Sequence, residues 1–171
     1  MEYSVTMIED PRLEFAALLD QHRKIVFKVA HAYATHPDDR ADLAQEIAAQ
    51  LWRAYRGYDP QRTFSTWMYR IALNVAISFL RNDVQRRGHA VALDDALHDA
   101  ADDNAADPEI DGQVRALHRF IAQLDPLNRA LLLLYLDDRP QREIAEVLGI
   151  SETNVSTKIG RLKQRIRNDL A

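Results

Sequence analysis

The 171-residue sequence contains no cysteine. Disulfide bonds, thiolate nucleophiles and cysteine-based zinc sites are therefore excluded, and the composition gives no sign of an oxidising compartment. Glycine and proline are also scarce, with 5 and 6 residues, whereas alanine and leucine are abundant. Because helix breakers are few among many good helix formers, the composition predicts a mostly helical chain.

Long hydrophobic runs are missing as well. The longest begins at Ala130 and is far shorter than the about 20 apolar residues that a helix needs to cross a bilayer. Residues 1–11 carry Glu2, Glu9 and Asp10 and lack the basic and apolar regions of a signal peptide. We therefore expect a cytoplasmic protein that is neither exported nor embedded in a membrane.

The sequence also lacks strong signatures of a catalytic site. It has no glycine-rich phosphate loop or nucleophile elbow, and its 6 histidines form no i, i+4 pair with a carboxylate at metal-ligand spacing. One alternative stays open, a small helical hydrolase that uses His98 and the aspartates around it: Asp94, Asp95, Asp99, Asp102 and Asp103. The sequence otherwise predicts a non-enzyme with no cofactor, no metal site and no small-molecule substrate.

The net charge is −4, but the charged residues are distributed unevenly along the chain. Residues 1–82 hold 10 basic and 10 acidic side chains, residues 83–113 hold 2 and 9, and residues 114–171 hold 10 and 7. Between residues 153 and 168 there is no acid, but there are five basic side chains: Lys158, Arg161, Lys163, Arg165 and Arg167. An acidic middle thus separates a neutral half from a basic end.

Helical spacing of apolar residues predicts three helices in the first half of the chain, at about 11–35, 38–56 and 63–82. The stretch 88–111 is rich in Asp and Ala, contains no aromatic residue and shows little periodicity. These features are typical of a flexible linker.

The helical pattern returns at Val114, and three further helices are predicted to start at Pro126, Pro140 and Ser151. We therefore predict an all-α protein made of two small helical domains. The predicted domains are 1–87 and 112–171, joined by a flexible acidic linker at 88–111.

The segment QREIAEVLGISETNVSTKIGRLKQRIR has the spacing of a helix-turn-helix. The small Ala145 allows two helices to approach, Gly149 permits the turn, and Val155 returns to their shared core. On the second helix Thr153, Thr157, Gly160 and Arg161 face away from that core. Such a face can enter the major groove of DNA, while the basic side chains nearby reach phosphates.

The segment FSTWMYRIALNVAISFLRN is apolar almost all the way round, yet one stripe differs. A helical wheel aligns Trp67, Arg70, Asn74, Ser78 and Arg81, opposite an apolar side, and Tyr58, Arg62 and Phe64 extend the stripe. Rings stack on bases and guanidinium groups meet phosphates, so this ridge suits single-stranded or opened nucleic acid. The alternative is that the rings belong to the core and the arginines solvate a helix edge.

The helix before this ridge carries a third candidate surface. Its wheel groups Asp42, Gln45, Glu46 and Arg53, with Trp52 at the margin. Tryptophan and arginine are frequent anchors of protein interfaces. The face therefore fits protein docking, with a merely solvated face as the alternative.

The arrangement resembles a known family. DLAQEIAAQLWRAYRGYDPQRTFSTWMYRIALNVAISFLR is similar to region two of the bacterial sigma-70 superfamily, and IAQLDPLNRALLLLYLDDRPQREIAEVLGISETNVSTKIGRLKQRIR is similar to its region four. With only these two regions and a short linker, the chain resembles extracytoplasmic-function (ECF) sigma factors. The resemblance covers about 11–82 and 112–169 in the right order.

The resemblance implies a protein that binds RNA polymerase core, directs it to specific promoters and helps to melt the DNA. The implied docking surface for the clamp helices of the largest catalytic subunit contains Asp42, Leu43, Gln45, Glu46, Trp52 and Arg53. The implied surface for the minus-ten element contains Tyr58, Arg62, Phe64, Trp67, Arg70, Asn74, Ser78 and Arg81. The implied surface for the duplex minus-thirty-five element contains Thr153, Asn154, Ser156, Thr157, Lys158 and Arg161.

Family members commonly answer to an anti-sigma factor, often a membrane protein, and the polymerase flap is a further expected partner. Two residues depart from the family pattern. The family often has a basic residue at the position of Ser156, and it commonly has a larger residue at the position of Gly160.

A plain helix-turn-helix repressor or activator remains the other class of function. Such a protein would bind duplex DNA by itself, would be expected to do so as a dimer, and would not need the Trp67 ridge.

Overall fold

A computed structural model of the chain describes residues 10–87 and 108–170, and the regular structure in these ranges is entirely helical. This confirms the all-α prediction for the described part of the chain. The elements are α1 (Pro11–Gln21), α2 (Arg23–Tyr33), α3 (Pro37–Ala54), a 3-10 turn (Tyr55–Gly57), α4 (Phe64–Arg87), α5 (Pro108–Gln123), α6 (Pro126–Leu136), α7 (Gln141–Leu148) and α8 (Glu152–Leu170). None of these helices could span a lipid bilayer.

The first predicted helix is in fact two helices. The backbone leaves helical geometry at His22, where φ is −113° and ψ is 15°, so the prediction of one helix over 11–35 is wrong. Spacing did not reveal the break, because Phe15 before it and Ile25 and Val26 after it all bury in the same core. The break is held by His22 itself, whose Nδ1 hydrogen-bonds the Leu18 carbonyl oxygen at 2.9 Å.

Helices α2, α3 and α4 pack against one another to form the amino-terminal domain. Helix α3 begins at Pro37, where the fixed backbone of proline suits a first helical turn. Its apolar residues recur four apart, so they form one buried row. Fully buried side chains of this core are Val29, Leu43, Ile47, Leu51, Met68, Tyr69, Ala72 and Ala76.

Helices α6, α7 and α8 form the core of the carboxy-terminal domain, and α5 packs against α6 and α8. Asp125 caps α6 by accepting a hydrogen bond from the Asn128 backbone N–H, and Ser151 caps α8 by accepting from the Asn154 backbone N–H at 3.1 Å. Gly149 ends α7 in the left-handed region, with φ of 68°. The predicted helix-turn-helix is thereby confirmed as α7, turn and α8.

The two domains are packed together along α2 and α4 on one side and α6 and α7 on the other. Tyr33 Oη donates to the Pro126 carbonyl oxygen at 2.8 Å, and the buried Arg129 donates to the Ala32 carbonyl oxygen at 3.0 Å. Arg129 also donates to the carbonyl oxygens of Ala122 and Leu124. One guanidinium group thus joins α2, the end of α5 and α6.

The linker predicted at 88–111 is shorter at its carboxy-terminal side. Helix α5 begins at Pro108, ahead of the boundary predicted at 112. Residues 88–107, which include the predicted cluster around His98, lie outside the described residues.

Two glycines on the helix-turn-helix are expected to respond with opposite signs. Gly149→Ala should lower the free energy of unfolding by about 1 kcal/mol, because a Cβ is disfavoured at positive φ. Gly160→Ala should raise it by about 0.5–1 kcal/mol, since a Cβ there meets nothing within 4 Å and alanine is the better helix former. Urea denaturation of the two variants measures both changes, and equal signs would contradict the assigned backbone geometry.

Candidate nucleic-acid and polymerase interfaces

The predicted ridge on α4 is an exposed stripe over most of its length. Arg70, Asn74, Ser78 and Arg81 are all exposed, whereas Met68, Ala72 and Ala76 on the opposite side are completely buried. The stripe therefore presents two guanidinium groups with an amide and a hydroxyl between them. These groups can donate to phosphates and hydrogen-bond base edges.

Aromatic rings close the amino-terminal end of the ridge. The half-buried Trp67 has its ring centroid 5.0 Å from that of Tyr58 and 5.3 Å from that of Phe64. Tyr58 Oη donates to the Arg62 carbonyl oxygen at 2.6 Å, which ties the loop to this end. Trp67 and Tyr58 are thus held in a fixed, partly open position where a base could stack.

Phe64 does not belong to the exposed surface. Its side chain is 7% exposed and contacts the rings of His22, Tyr58 and Trp67. The prediction that Phe64 lines the ridge is corrected, because this ring supports Trp67 from beneath.

The rings continue from the ridge to α3. Tyr55 lies 6.4 Å from Trp67 and 6.4 Å from Trp52, measured between ring centroids, and Phe15 packs on both Trp52 and Tyr55. We call these rings with Tyr58 and Phe64 the aromatic cluster: Phe15, Trp52, Tyr55, Tyr58, Phe64 and Trp67. Sequence reasoning missed Phe15 and Tyr55 as members, although Trp52, Tyr55 and Tyr58 recur every third residue.

The predicted docking face on α3 is exposed apart from one residue. Asp42, Gln45, Glu46 and Arg53 are exposed, and Trp52 is 40% exposed at the edge of the aromatic cluster. Leu43 is completely buried, which corrects its assignment to this surface. Its role is to hold α3 in the core, because its position on the wheel faces α2 and α4.

The predicted recognition helix is α8. Val155, Ile159 and Leu162 bury in the carboxy-terminal core, and Lys158 is half-buried. The exposed members of the predicted set are Thr153, Asn154, Ser156, Thr157 and Arg161. Gly160 is exposed beside them. The exposed side of α8 therefore carries hydroxyl groups, an amide and one guanidinium group, and it has no side chain at Gly160.

A basic depression lies between α8 and the start of α6. Its lining contains Asn128, Lys158, Arg161, Leu162 and Arg165. Burial raises the pKa of the nearby Asp125, but hydrogen bonds from Asn128 and the charge of Lys158 outweigh it and keep that pKa below its usual value. Sequence reasoning did not find Asn128, because the α6 terminus meets α8 only in the folded domain.

The part of the chain that the structure describes contains no group of three His, Asp or Glu side chains placed to hold a metal ion. The clusters that it does contain are aromatic, basic or mixed in charge. This chemistry suits recognition of nucleic acid and protein.

Comparison with protein families gives two matches in the order of the two domains. The sigma-70 region 2 model matches residues 18–87, and the sigma-70 region 4 model matches residues 114–166. This chain belongs to the sigma-70 family. The two matches contain all three surfaces described above.

Curated relatives of this sigma-70 member include ECF sigma factors. The chain is 29% identical to the ECF RNA polymerase sigma factor SigE of Mycolicibacterium smegmatis, over 90% of this chain and 60% of that protein. It is 24% identical to the ECF RNA polymerase sigma factor SigW of Bacillus subtilis, over 91% of this chain and 88% of that protein.

Solved sigma-factor structures share the fold. CnrH, solved in complex with the cytosolic domain of CnrY, aligns with a TM-score of 0.65 at 22% identity, over 93% of this chain and 88% of that one. RpoE, solved with the anti-sigma factor NepR from Bartonella quintana, aligns with a TM-score of 0.63 at 17% identity, over 93% and 95% of the chains. Both alignments span both helical domains.

Substitutions at one buried and one exposed position of α4 should separate core from surface. Phe64→Ala should lower the free energy of unfolding by about 3 kcal/mol, since it removes a buried ring. Asn74→Ala should change it by less than about 0.5 kcal/mol, because the side chain is exposed. Thermal and urea denaturation test both; a small loss for Phe64→Ala would argue against the corrected assignment.

Proposed function

We propose that this sigma factor binds RNA polymerase core, directs it to a subset of promoters and helps to open the DNA. The observation that carries the proposal is one chain with two exposed, differently built faces whose side chains suit nucleic acid. One is the ridge of α4 and the other is the groove-facing side of α8. The protein needs no catalytic group for this work, because the polymerase supplies the chemistry.

The ridge is proposed to act on the minus-ten element. Opening a duplex costs unstacking energy, which a ring stacking on an extruded base and a pocket for it can offset. Trp67 and Tyr58 would supply the rings, Arg62, Arg70 and Arg81 would contact phosphates, and Asn74 and Ser78 would hydrogen-bond base edges. Phe64 would act through its contact with Trp67.

The α8 face is proposed to contact the minus-thirty-five element as duplex DNA. Thr153, Asn154, Ser156, Thr157 and Arg161 are exposed at the correct end of a helix-turn-helix recognition helix. The basic depression with Lys158 and Arg165 would take a neighbouring phosphate. With few charges on this face, sequence readout would depend largely on hydroxyl and amide contacts.

The α3 face is proposed to dock on the clamp helices of the largest polymerase subunit. Trp52 would be the anchor, surrounded by Asp42, Gln45, Glu46 and Arg53. The carboxy-terminal domain would contact the polymerase flap. We also propose control by an anti-sigma factor, since the related RpoE was crystallised with the anti-sigma factor NepR. The protein would lie in the cytoplasm, would associate with the nucleoid when bound to polymerase, and would be held at the membrane by a membrane-bound inhibitor.

Transcription in vitro tests the proposed function directly. The purified chain with core polymerase should give specific run-off transcripts from a cognate promoter, selected from genomic fragments by the reconstituted holoenzyme. Core polymerase alone is the control. Absence of association with core in a preparation free of inhibitors would overturn the proposal, as would tight binding of the chain alone to duplex DNA as a dimer.

The two tryptophans offer a matched pair for the melting step. Trp67→Ala should reduce open-complex formation on duplex promoter at least tenfold, while binding to a pre-melted template is less affected, because only the duplex requires unstacking. Trp52→Ala should reduce complex formation on both templates alike, because it weakens docking on the polymerase. Permanganate footprints measure opening of the duplex template, and mobility-shift titration measures binding to the pre-melted template. Equal losses for Trp67→Ala on both templates would rule out its melting role.

Two arginines on α8 test the upstream contact. Arg161→Ala should weaken the minus-thirty-five contact by about 1–3 kcal/mol if its guanidinium reads a base edge. Arg167→Ala is the control, since Arg167 hydrogen-bonds Gln164 on its own helix and lies farther from the helix start. Titrated upstream footprints measure the change, and an unaltered footprint for Arg161→Ala would refute the assignment.

A further inference from the structure

Thr157 lies at the centre of the exposed side of α8. A helix turns about 100° per residue, so Thr157 points about 180° away from the buried Val155 and Ile159. It belongs to the second turn of Glu152–Leu170, and the amino-terminal turns of a recognition helix are the ones that reach base edges. Thr157 is therefore the side chain that would enter a groove most directly.

The hydroxyl group of Thr157 is already engaged within the helix. Its Oγ1 donates to the Thr153 carbonyl oxygen at 3.0 Å, so the hydroxyl proton is used one turn back along α8. The oxygen keeps lone pairs that can accept a hydrogen bond. Thr157 thus offers a ligand one methyl group and one acceptor, but no donor.

Open space lies next to this methyl group. Gly160 is three residues farther along, and positions i and i+3 are neighbours on a helix surface. A Cβ built at Gly160 would meet nothing within 4 Å. The surface beside Thr157 therefore has room for a group of methyl size.

The amide of Gln164, one turn beyond Gly160, is directed elsewhere. Its Nε2 donates to Asn168 Oδ1 at 3.3 Å, and its Oε1 accepts from Arg167 Nη2 at 3.2 Å. Both partners lie toward the carboxy-terminal end of α8. Gln164 thus turns its polar atoms away from the space beside Gly160.

Positive charge on one flank of α8 would fix how Thr157 meets a duplex. Lys158, Arg161 and Arg165 line the basic depression toward α6. Contacts to phosphate oxygens set the register and orientation of a protein on DNA. With the backbone of one strand held at this depression, Thr157 would face the major groove beside it.

The methyl group of thymine is the apolar feature of the major groove. Each base pair presents a distinct pattern there, and thymine alone among the unmodified bases carries a C5-methyl group, which packs against apolar groups such as a threonine methyl. A methyl group beside a gap of methyl size is complementary to this feature.

We propose that Thr157 and Gly160 contact the C5-methyl group of one thymine in the upstream promoter element, and that this thymine contact sets the base preference at that position. It depends on the proposed minus-thirty-five function of α8 and makes Thr157 a specificity-determining residue. The other use of Thr157, in which Oγ1 accepts from an amino group of adenine or cytosine, is an outcome of the same test.

Replacement of thymine by uracil tests the thymine contact, because it removes the C5-methyl group and leaves base pairing unchanged. Each thymine of the upstream element is replaced in turn in a cognate promoter, and titrated upstream footprints measure binding of the holoenzyme. One replacement should weaken binding about fourfold, the size expected for burial of one such group. An element without thymine, or one in which no replacement has an effect, would overturn the thymine contact.

Variants of Thr157 assign the effect to its methyl group. Thr157→Ser keeps the hydroxyl and removes the methyl, so it should bind the thymine and uracil promoters equally well. Thr157→Val keeps a methyl and removes the hydroxyl, so it should retain the preference for thymine. The control, Thr153→Ser, removes a methyl one turn earlier on the same exposed side and should also retain it. Loss of the preference in Thr157→Val would favour the hydroxyl acceptor and refute the methyl contact.

Filling the gap tests the part of Gly160. Gly160→Ala adds a Cβ beside Thr157, so it should weaken binding to the thymine promoter and leave binding to the uracil promoter at the level of the unmodified protein. Unfolding does not explain such a loss, because alanine is the better helix former at this position. An equal effect on the two promoters, or no effect on either, would contradict the shared contact.

The outcomes separate the thymine contact from the proposed function. Specific transcripts and an upstream footprint with no response to any uracil would overturn the thymine contact and leave the function intact. Specific transcripts without an upstream footprint would overturn the minus-thirty-five assignment and the thymine contact together. No specific transcript from the unmodified holoenzyme would overturn the proposed function and the thymine contact with it.

Discussion

Helix α4 has to satisfy three surroundings at once, and this requirement governs how the rest of the chain is arranged. Met68, Ala72 and Ala76 are buried against α2 and α3, while Tyr69 reaches the carboxy-terminal domain through its hydroxyl. Asn74 and the rest of the ridge remain exposed. An almost wholly apolar helix with one polar stripe is the consequence, because only that stripe is left for solvent or a ligand.

The aromatic cluster connects two of the three surfaces physically. Trp52 at the predicted docking face and Trp67 at the ridge both contact Tyr55. Closely packed rings transmit displacement because interiors have few voids. The positions of Trp52 and Trp67 are thus mechanically related.

The carboxy-terminal domain has a lightly charged recognition face and a basic surround. Lys163 lies over the Tyr135 ring and Arg165 over the Phe120 ring, at 5.0 and 5.6 Å from the ring centres, so part of the positive charge is already engaged within the domain. If this face contacts DNA as proposed, few of its side chains would contribute charge to the contact. Joining it to a second site through the polymerase would then raise its effective concentration at the promoter.

The sequence by itself determined the local features: the helices, the caps at Asp125 and Ser151, the turn at Gly149 and the exposed stripe of α4. These follow from periodicity and from the backbone preferences of single residues. Tertiary structure alone decided that Phe64 is buried and that Asp137 meets Lys28 and Tyr69. Those outcomes depend on which helices pack together. Asp137 is separated by 109 positions from Lys28 and by 68 positions from Tyr69, so no periodicity in the sequence indicates their contact.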